Sequence, residues 1–238
     1  PSPVQIDWAW VFPDGRSFLV RAVHPKDGGG TYRVDAASGA WTSLKSPVAV
    51  EVQGWPSGIS PDGRIIYLNR GPTEAANRGL NHVIAWDIET GQEKELIARS
   101  GLSSLSDDGK QLAVSRPDGK DLVIEILPAA GGPRREVYRV PGFQGAEITW
   151  TPDGRYLIFG PFDRLGNAKV FMKVSVEGGV AQPIGISASQ DGEVQFPRSF
   201  AGMRFHPSGR QLLYVAQGER SAESEIWSLE NFLPKPAK

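Results

Sequence analysis

The stretch "SPDGRIIYL", residues 60–68, joins a tight-turn sequence to a short apolar run. The same pattern occurs five times in 238 residues: FPDGR (12–16), SPDGR (60–64), SDDGK (106–110), TPDGR (151–155) and HPSGR (206–210). The glycines stand at positions 15, 63, 109, 154 and 209, so they are 48, 46, 45 and 55 residues apart. Self-similarity at this period predicts a solenoid, a propeller or another repeat array.

Each residue of the repeated turn has a separate role. Proline presets φ, the aspartate carboxylate can accept hydrogen bonds from nearby backbone N–H groups, and glycine takes the left-handed conformation that closes a bulged hairpin. The runs that follow the turns are apolar without alternation, which predicts strands buried on both faces. These runs are Phe18–Val20, Ile65–Leu68, Leu112–Val114, Tyr156–Phe159 and Leu212–Val215.

A second column of glycine turns lies downstream of the first four copies, with strand-like segments on both sides. Each unit therefore has the order strand, tight turn, strand, longer loop, strand, tight turn, strand. Four antiparallel strands in about 45 residues are typical of a propeller blade. No window has a 3.6-residue apolar period, which argues against a helical solenoid. The second turns are Asp35–Gly39, Asp87–Gly91, Pro128–Gly132 and Val176–Gly179.

The predicted fold is therefore all-β, a β-propeller with five four-stranded blades that forms a single domain over residues 1–238. The fifth blade is predicted to be incomplete, because its third strand, Glu225–Leu229, is followed by only nine more residues. Residues 1–6 precede the first predicted inner strand, Asp7–Val11, and their two prolines make them a poor substitute for the missing edge strand. The predicted blades span residues 7–45, 54–99, 100–140, 146–186 and 201–231.

The composition excludes several classes of function. The chain has 27 acidic and 26 basic residues without a block of like charge, so no nucleic-acid or anionic membrane surface is predicted. It has no cysteine, which excludes disulfides and thiolate metal sites. No apolar run approaches the roughly 18 residues that a membrane span needs. We expect no membrane span in this chain.

The motif Ser/Thr-Pro-Asp-Gly-Arg followed by an apolar run resembles the TolB-type propeller repeat, a WD-repeat-like unit of bacterial proteins. The resemblance covers nearly the whole chain, and it departs from the pattern at Asp107, in place of proline, and at Ser208, in place of aspartate. The tail "AESEIWSLENFLPKPAK" (222–238) is similar to the C-termini of multidomain bacterial proteins. In those proteins the propeller follows a serine/threonine kinase domain or a winged-helix domain, so this chain would be the C-terminal part of a longer one.

The resemblance implies a non-catalytic binding module, the sensory or scaffolding part of a larger bacterial signalling protein. It leaves an alternative open, since propellers of this repeat type also gate substrate access in prolyl-oligopeptidase-type hydrolases. A stand-alone lectin-like propeller is a third reading. For the compartment, the periplasmic or extracytoplasmic side of a bacterium fits the resemblance, and the sequence does not decide it.

No catalytic or metal-binding motif emerges, so we predict no catalytic residue, no metal, no cofactor and no enzyme activity. The nucleophile-elbow pattern G-x-S-x-G fails at its last position, Ser189. His206 stands at a turn position of the repeat, and the calcium-loop pattern does not occur. Basic residues after the turn glycines are interpreted as solvated turn exits. The tryptophans in predicted strands are interpreted as packing between blades.

Binding is predicted on the face that carries the long loops, opposite the tight turns, because binding residues concentrate on long loops held by a rigid scaffold. The long loops are Gly71–Asn81, Pro161–Ala168, Ile186–Phe200 and Gln217–Glu223. The expected partner is a protein or a small ligand. The candidate binding residues are Glu74, Arg78, His82, Asp163, Arg164, Asn167, Arg198, Arg220 and Glu223.

Overall fold

The structure is a computed structural model, and every regular element that it describes is a β-strand. The part of the chain that it describes contains no helix, and therefore no helix that could cross a membrane. The chain divides into two compact units, Pro1–Arg99 and Ser100–Lys238. The described residues are 5–24, 28–44, 54–71, 80–143, 145–162, 171–184, 203–205, 211–217 and 224–230.

The first unit contains two antiparallel sheets of four strands, and in each sheet the strands follow one another in chain order. The first sheet is formed by β1 (Gln5–Val11), β2 (Ser17–His24), β3 (Gly28–Asp35) and β4 (Trp41–Leu44). The second sheet is formed by β5 (Gly54–Ile59), β6 (Ile65–Arg70), β7 (Asn81–Asp87) and β8 (Glu93–Ser100).

The second unit contains two more four-stranded sheets and a sheet of three described strands. The third sheet is formed by β9 (Ser103–Leu105), β10 (Gln111–Asp118), β11 (Asp121–Pro128) and β12 (Arg135–Val140). The fourth is formed by β13 (Gly145–Trp150), β14 (Tyr156–Phe162), β15 (Met172–Ser175) and β16 (Gln182–Pro183). The fifth is formed by β17 (Arg204–Phe205), β18 (Gln211–Gln217) and β19 (Ser224–Glu230).

These sheets confirm the all-β prediction and the order of four antiparallel strands in the first four units. Several boundaries are wrong. The ends of three predicted long loops lie in strands: Asn81 in β7, Pro161 in β14 and Gln217 in β18. In addition, β1 begins at Gln5 rather than at Asp7, and Gln5 and Ile6 pair with Val23 and Ala22 of β2. These two residues therefore extend the first sheet instead of supplying an edge strand elsewhere. The reason is the length of β2, whose eight residues offer backbone partners beyond the predicted strand.

The turn between the first two strands follows the same hydrogen-bonding scheme in the second, third and fourth sheets. In the second sheet Gly63 N–H donates to Ser60 O (2.7 Å), and Gly63 has φ of 74°. The Ser60 hydroxyl accepts from Ile65 N–H (2.8 Å) and donates to the Asp62 carboxylate. That hydroxyl is the main reason that the pKa of Asp62 is lowered. Ser106 and Asp108 in the third sheet, and Thr151 and Asp153 in the fourth, make the equivalent side-chain hydrogen bonds.

The two columns of tight turns lie side by side at one end of each of the first four sheets. In the second sheet Ile88 N–H, in the second turn, donates to Arg64 O, in the first turn (3.1 Å). We call this the tight-turn end, and the opposite end, where the second strand of each sheet connects to the third, the long-loop end. This connection is long in the second sheet (71–80) and the fourth (163–171), and short in the first (25–27) and the third (119–120), where the predicted longer loop is absent. Equivalent backbone bonds in the other sheets join Ala36 to Arg16, Ala129 to Lys110 and Val176 to Arg155.

Apolar side chains between consecutive sheets form the core of each unit. In the first unit Phe12 and Leu19 of the first sheet pack against Ile59, Ile66 and Trp86 of the second. The corresponding cluster of the second unit joins the third and fourth sheets. The runs of the second, third and fourth sheets are thus largely buried by packing of sheets, as their pattern predicts. The run Phe18–Val20 of the first sheet departs from the prediction, because Phe18 is 37% exposed. Members of the cluster in the second unit include Ala113, Leu122, Ile124, Trp150, Leu157 and Phe159.

Candidate functional site

The predicted binding residues fall almost entirely outside the part of the chain that the structure describes. His82 is the exception: it lies in β7, one residue after that strand begins at the long-loop end. The structure therefore tests the surroundings of one candidate residue. The other candidate residues all lie outside the described part of the chain: Glu74, Arg78, Asp163, Arg164, Asn167, Arg198, Arg220 and Glu223.

His82 belongs to a charged group on β6, β7 and β8 of the second sheet. Its Nδ1 lies 2.6 Å from Oε2 of Glu95 in β8. Arg70, the cross-strand partner of His82, makes two hydrogen bonds to the carboxylate of Glu93, at 2.8 Å and 2.5 Å. We call these four residues the charged quartet. Arg70 ends β6 and His82 lies near the start of β7, so these two residues stand at the long-loop end, whereas Glu93 and Glu95 begin β8 just after the tight turn Asp87–Gly91.

The two pairs of the charged quartet differ in their exposure to solvent. Arg70 and Glu93 are largely shielded, and their paired, two-point geometry is the strong form of an arginine–carboxylate contact. His82 and Glu95 are more exposed, so their ion pair is weak when His82 is protonated. Glu95 is thus the accessible acceptor of the group, while Arg70 is already occupied by Glu93. The arrangement suits a hydrogen-bond donor or a cation better than an anion.

The sequence analysis missed Arg70, Glu93 and Glu95. A signal for them exists, because the tight turn Asp87–Gly91 sets the register of β7 and β8. Alternate residues of a strand share a face, so Glu93 and Glu95 lie on one side of β8. The hairpin could thus have placed His82 beside a carboxylate from the sequence alone.

At the tight-turn end, a basic turn-exit residue has a structural role. Arg64 donates to Asp87 in the neighbouring turn, with Nη2 to Oδ2 at 2.7 Å. This contact is the main cause of the lowered pKa of Asp87, about 2, and of the raised pKa of Arg64. Lys110 lies 3.4 Å from Asp108 and is mostly exposed. These contacts agree with the interpretation of Arg64 and Lys110 as residues of the turn exits rather than as parts of a binding patch.

Four of the predicted packing tryptophans do pack between sheets. Trp8 and Trp10 contact the core that contains Trp86, and Trp8 Nε1–H donates to Gly54 O of the second sheet (3.1 Å). Trp150 Nε1–H donates to Ser104 O of the third sheet (2.9 Å). Trp55 differs, because it is 41% exposed. The side chain of Trp227 lies outside the described residues.

Among the described residues, no group of three or more His, Cys, Asp or Glu side chains could hold a metal ion. No protein-family model and no curated protein matches the sequence. Solved structures do match. A protein from Agrobacterium tumefaciens assigned as TolB has a TM-score of 0.71 and 18% identity, covering 97% of this chain and 79% of that one. The chain has the fold of the TolB-type β-propellers.

Enzymes are also among the solved structures that this chain resembles. An oligogalacturonate lyase solved with manganese has a TM-score of 0.63 and 15% identity, covering 95% of this chain and 64% of that one. A puromycin-hydrolysing peptidase of Mycobacterium tuberculosis has a TM-score of 0.54 and 13% identity, covering 96% of this chain and 37% of that one. At these identities the likeness concerns the fold alone, and the TolB-type fold does not decide between binding and catalysis.

Proposed function

We propose that this chain is a non-catalytic, five-bladed propeller module that binds a protein or a small ligand at the long-loop ends of its sheets. The observation that carries the proposal is the difference between the two ends of each sheet. At the tight-turn end, the second, third and fourth sheets repeat one hydrogen-bonding scheme. A surface that repeats itself offers a partner little by which to distinguish one sheet from the next.

The long-loop end offers chemistry that is particular to one sheet. Arg70 and His82 stand at this end of the second sheet and pair with Glu93 and Glu95, whereas at the repeat position of Arg70 the third sheet has Arg116, which pairs with Glu125. The loops that leave this end also differ in length and charge. Convergent polar groups on a rigid scaffold favour binding. We extend the proposal to a sensory or scaffolding role in a larger bacterial protein, as the repeat and the C-terminal tail resemble such proteins.

Two sets of substitutions test which end binds. One variant replaces Arg78, Arg164 and Arg198 by alanine, and the control replaces Arg16, Arg64 and Arg155. Both are immobilised beside the original chain and exposed to the same bacterial extract, and retained proteins are quantified by mass spectrometry. We expect specific partners to be lost from the first variant and kept by the control. Partners lost only from the control would contradict the proposal, and thermal melts check that both variants fold.

A second candidate function is the accessory propeller of a prolyl-oligopeptidase-type hydrolase. The peptidase that shares the fold favours it. The two functions separate on the coding sequence around residues 1–238. A kinase or winged-helix domain in the same reading frame supports the sensory role, and an α/β-hydrolase domain there would replace it by the peptidase role.

A further inference from the structure

The described part of the chain contains five Asp–Gly peptide bonds, and four of them belong to the repeated tight turns. The fifth, Asp118–Gly119, lies in the hairpin that joins β10 to β11. In an Asp–Gly bond the glycine nitrogen can attack the aspartate carboxyl group, because glycine has no side chain to shield that nitrogen. The four turn bonds are Asp14–Gly15, Asp62–Gly63, Asp108–Gly109 and Asp153–Gly154.

In the tight turns, hydrogen bonds hold both of the groups that would react. In the second sheet Gly63 N–H donates to Ser60 O at 2.7 Å, and the Asp62 carboxylate accepts from Arg64 N–H at 3.1 Å. The Ser60 hydroxyl donates to the same carboxylate. A reaction between Asp62 and Gly63 would have to break all three bonds. The other turns hold the same two groups by backbone bonds, at Asp14 and Gly15, Asp108 and Gly109, and Asp153 and Gly154.

The hairpin at Asp118–Gly119 holds the same two groups differently. Asp118 pairs with Asp121 across the hairpin, which leaves a loop of two residues that begins with Gly119. Gly119 has φ of 63° and nothing within 4 Å of a Cβ built on it, and within the described residues no atom accepts from its N–H. Among those residues the Asp118 carboxylate contacts side chains alone, Arg139 at 2.8 Å and Arg116 at 3.8 Å.

Exposure to solvent does not separate this hairpin from the turns. The side chain of Asp118 is 46% exposed, against 37% for Asp14 and 56% for Asp108. The difference lies in what restrains the reacting groups. The ion pair of Asp118 with Arg139 is at the surface, where such pairs are weak. A reaction at Asp118 must open this ion pair and the last pair of the hairpin, and it has no glycine N–H bond to break.

We propose that Asp118 is a modification site, at which the Asp118–Gly119 bond converts to isoaspartate in the folded protein while the four turn bonds are protected. The Gly119 nitrogen forms a bond to Cγ of Asp118, and its proton leaves with a carboxyl hydroxyl as water. Water then adds to the former main-chain carbonyl of the succinimide, and the bond from that carbonyl to nitrogen breaks. The main chain now runs through Cγ, and water is the only co-reactant.

The product changes the long-loop end of the third sheet. Isoaspartate adds one carbon to the main chain between β10 and β11, and the former α-carboxyl group of residue 118 becomes the free carboxylate. The two-residue connection is thereby lengthened, and Arg139 loses the acceptor that it has in the unmodified chain. The inference goes beyond the proposed function and does not depend on which end binds a partner.

Incubation of the 238-residue chain at neutral pH tests the proposal, with one sample folded and one in denaturant. Peptide mapping with electron-transfer fragmentation quantifies isoaspartate at each of the five bonds. In denaturant we expect similar rates, because the five bonds are then equally unrestrained. In the folded chain we expect the rate at Asp118 to exceed that at each turn by about tenfold or more, since the turns must break additional hydrogen bonds.

Two substitutions test the restraints themselves. Arg139→Gln removes the hydrogen bond that is the main cause of the lowered pKa of Asp118. It should raise the folded rate at Asp118, since a neutral carboxyl group loses water more readily than an ionised one. The matched control is Ser60→Ala, which should raise the rate at Asp62 and leave the rate at Asp118 unchanged. Thermal melts check that both variants fold.

Two results would overturn the proposal. The first is a rate at Asp118 in the folded original chain that is no higher than the rates at the turns, while all five bonds react in denaturant. The second is an unchanged rate at Asp62 in folded Ser60→Ala, because hydrogen bonds in the turn would then not be what protects it. The first comparison uses the original chain alone, so it stands even if a variant does not fold.

Discussion

The first turns of the first and second sheets close the same hairpin with different side chains. In the second sheet the hydroxyl belongs to Ser60, at the first turn position. It donates to the Asp62 carboxylate and accepts from the N–H of Ile65. In the first sheet that position is Phe12, and the hydroxyl comes from Ser17, five residues later, which donates to Asp14 Oδ2 (2.9 Å). The backbone bond from the glycine is kept in both, Gly15 to Phe12 at 3.0 Å and Gly63 to Ser60 at 2.7 Å.

The difference shows that the repeat conserves a backbone shape rather than a set of side-chain bonds. Once Ser17 supplies the hydroxyl, Phe12 is free to fill the space between the two sheets, where it is buried. Arg33 completes the altered turn, since it lies over the Phe12 ring at 4.3 Å and pairs with Asp14 at 2.6 Å. The first turn therefore has a packing role that the second does not.

The largest effect is expected from Phe12→Ala. It removes a buried ring from the core between the sheets and should cost about 3–5 kcal/mol of unfolding free energy. The measurement is a denaturant titration at neutral pH. Val180→Ala, at a residue 85% exposed, is the control and should change the stability by less than about 0.5 kcal/mol. If Phe12→Ala lowered the unfolding free energy no more than Val180→Ala does, the packing role of the first turn would be contradicted.

Valine at the two turn glycines should give the next largest effect. Gly15 and Gly63 both have left-handed φ, 63° and 74°, so each substitution should cost about 1–2 kcal/mol. The two costs should be similar, because a Cβ at Gly63 would make an ordinary van der Waals contact with Phe12, at 3.6 Å, and nothing lies within 4 Å at Gly15. Denaturant midpoints of the two variants give the comparison. An unchanged midpoint for Gly63→Val would mean that the turn tolerates another backbone conformation.

Removing the hydroxyls should have smaller and unequal effects. Ser60→Ala leaves the Ile65 N–H without the hydroxyl that it bonds, and should cost about 1–2 kcal/mol. Ser17→Ala should cost about 0.5–1 kcal/mol, because Asp14 still accepts from the N–H of Arg16 and from Arg33. Thermal or chemical unfolding of both variants measures the difference. A larger loss for Ser17→Ala would show that the hydroxyl, not the backbone, organises the first turn.

The smallest effect concerns acid stability. The N–H of Arg16 is the main cause of a pKa of about 2 for Asp14 in the folded chain, against 3.8 ordinarily. A lowered folded pKa stabilises the fold above pH 3.8, and this contribution is lost as the pH falls from there toward 2. The denaturant midpoint should therefore fall less between pH 5 and pH 2 in Asp14→Asn than in the original chain. An identical decline in both proteins would show that Asp14 does not contribute to it.

Much of the fold could be predicted from the repeat, because turn chemistry is local. Proline, aspartate and glycine act within five residues, so the turns around Gly63, Gly109 and Gly154 and the strands beside them follow from their own sequence. The start of β1 could not be predicted in this way. It depends on how far β2 offers backbone partners, which is decided by pairing between strands rather than by the strand itself.

The candidate site was less predictable than the fold. Loop length indicated an end of the sheets, and His82 does lie at that end, but its partner Glu95 became visible only through the register of β7 and β8. The other candidate residues lie outside the described part of the chain, and the binding face stays a prediction. Loop side chains have no period from which their neighbours can be inferred, whereas strand side chains alternate.

The sequence by itself determined the turns and the strand order within each unit, since both follow from short-range backbone preference and side-chain pattern. Only the tertiary structure decided which apolar residues are covered. Phe12 and Ile59 are buried and Val11 is exposed, although all three belong to equally apolar segments of the repeat. The physical reason is that burial of a sheet face requires a second sheet against it, and a strand's sequence does not state whether that sheet is present.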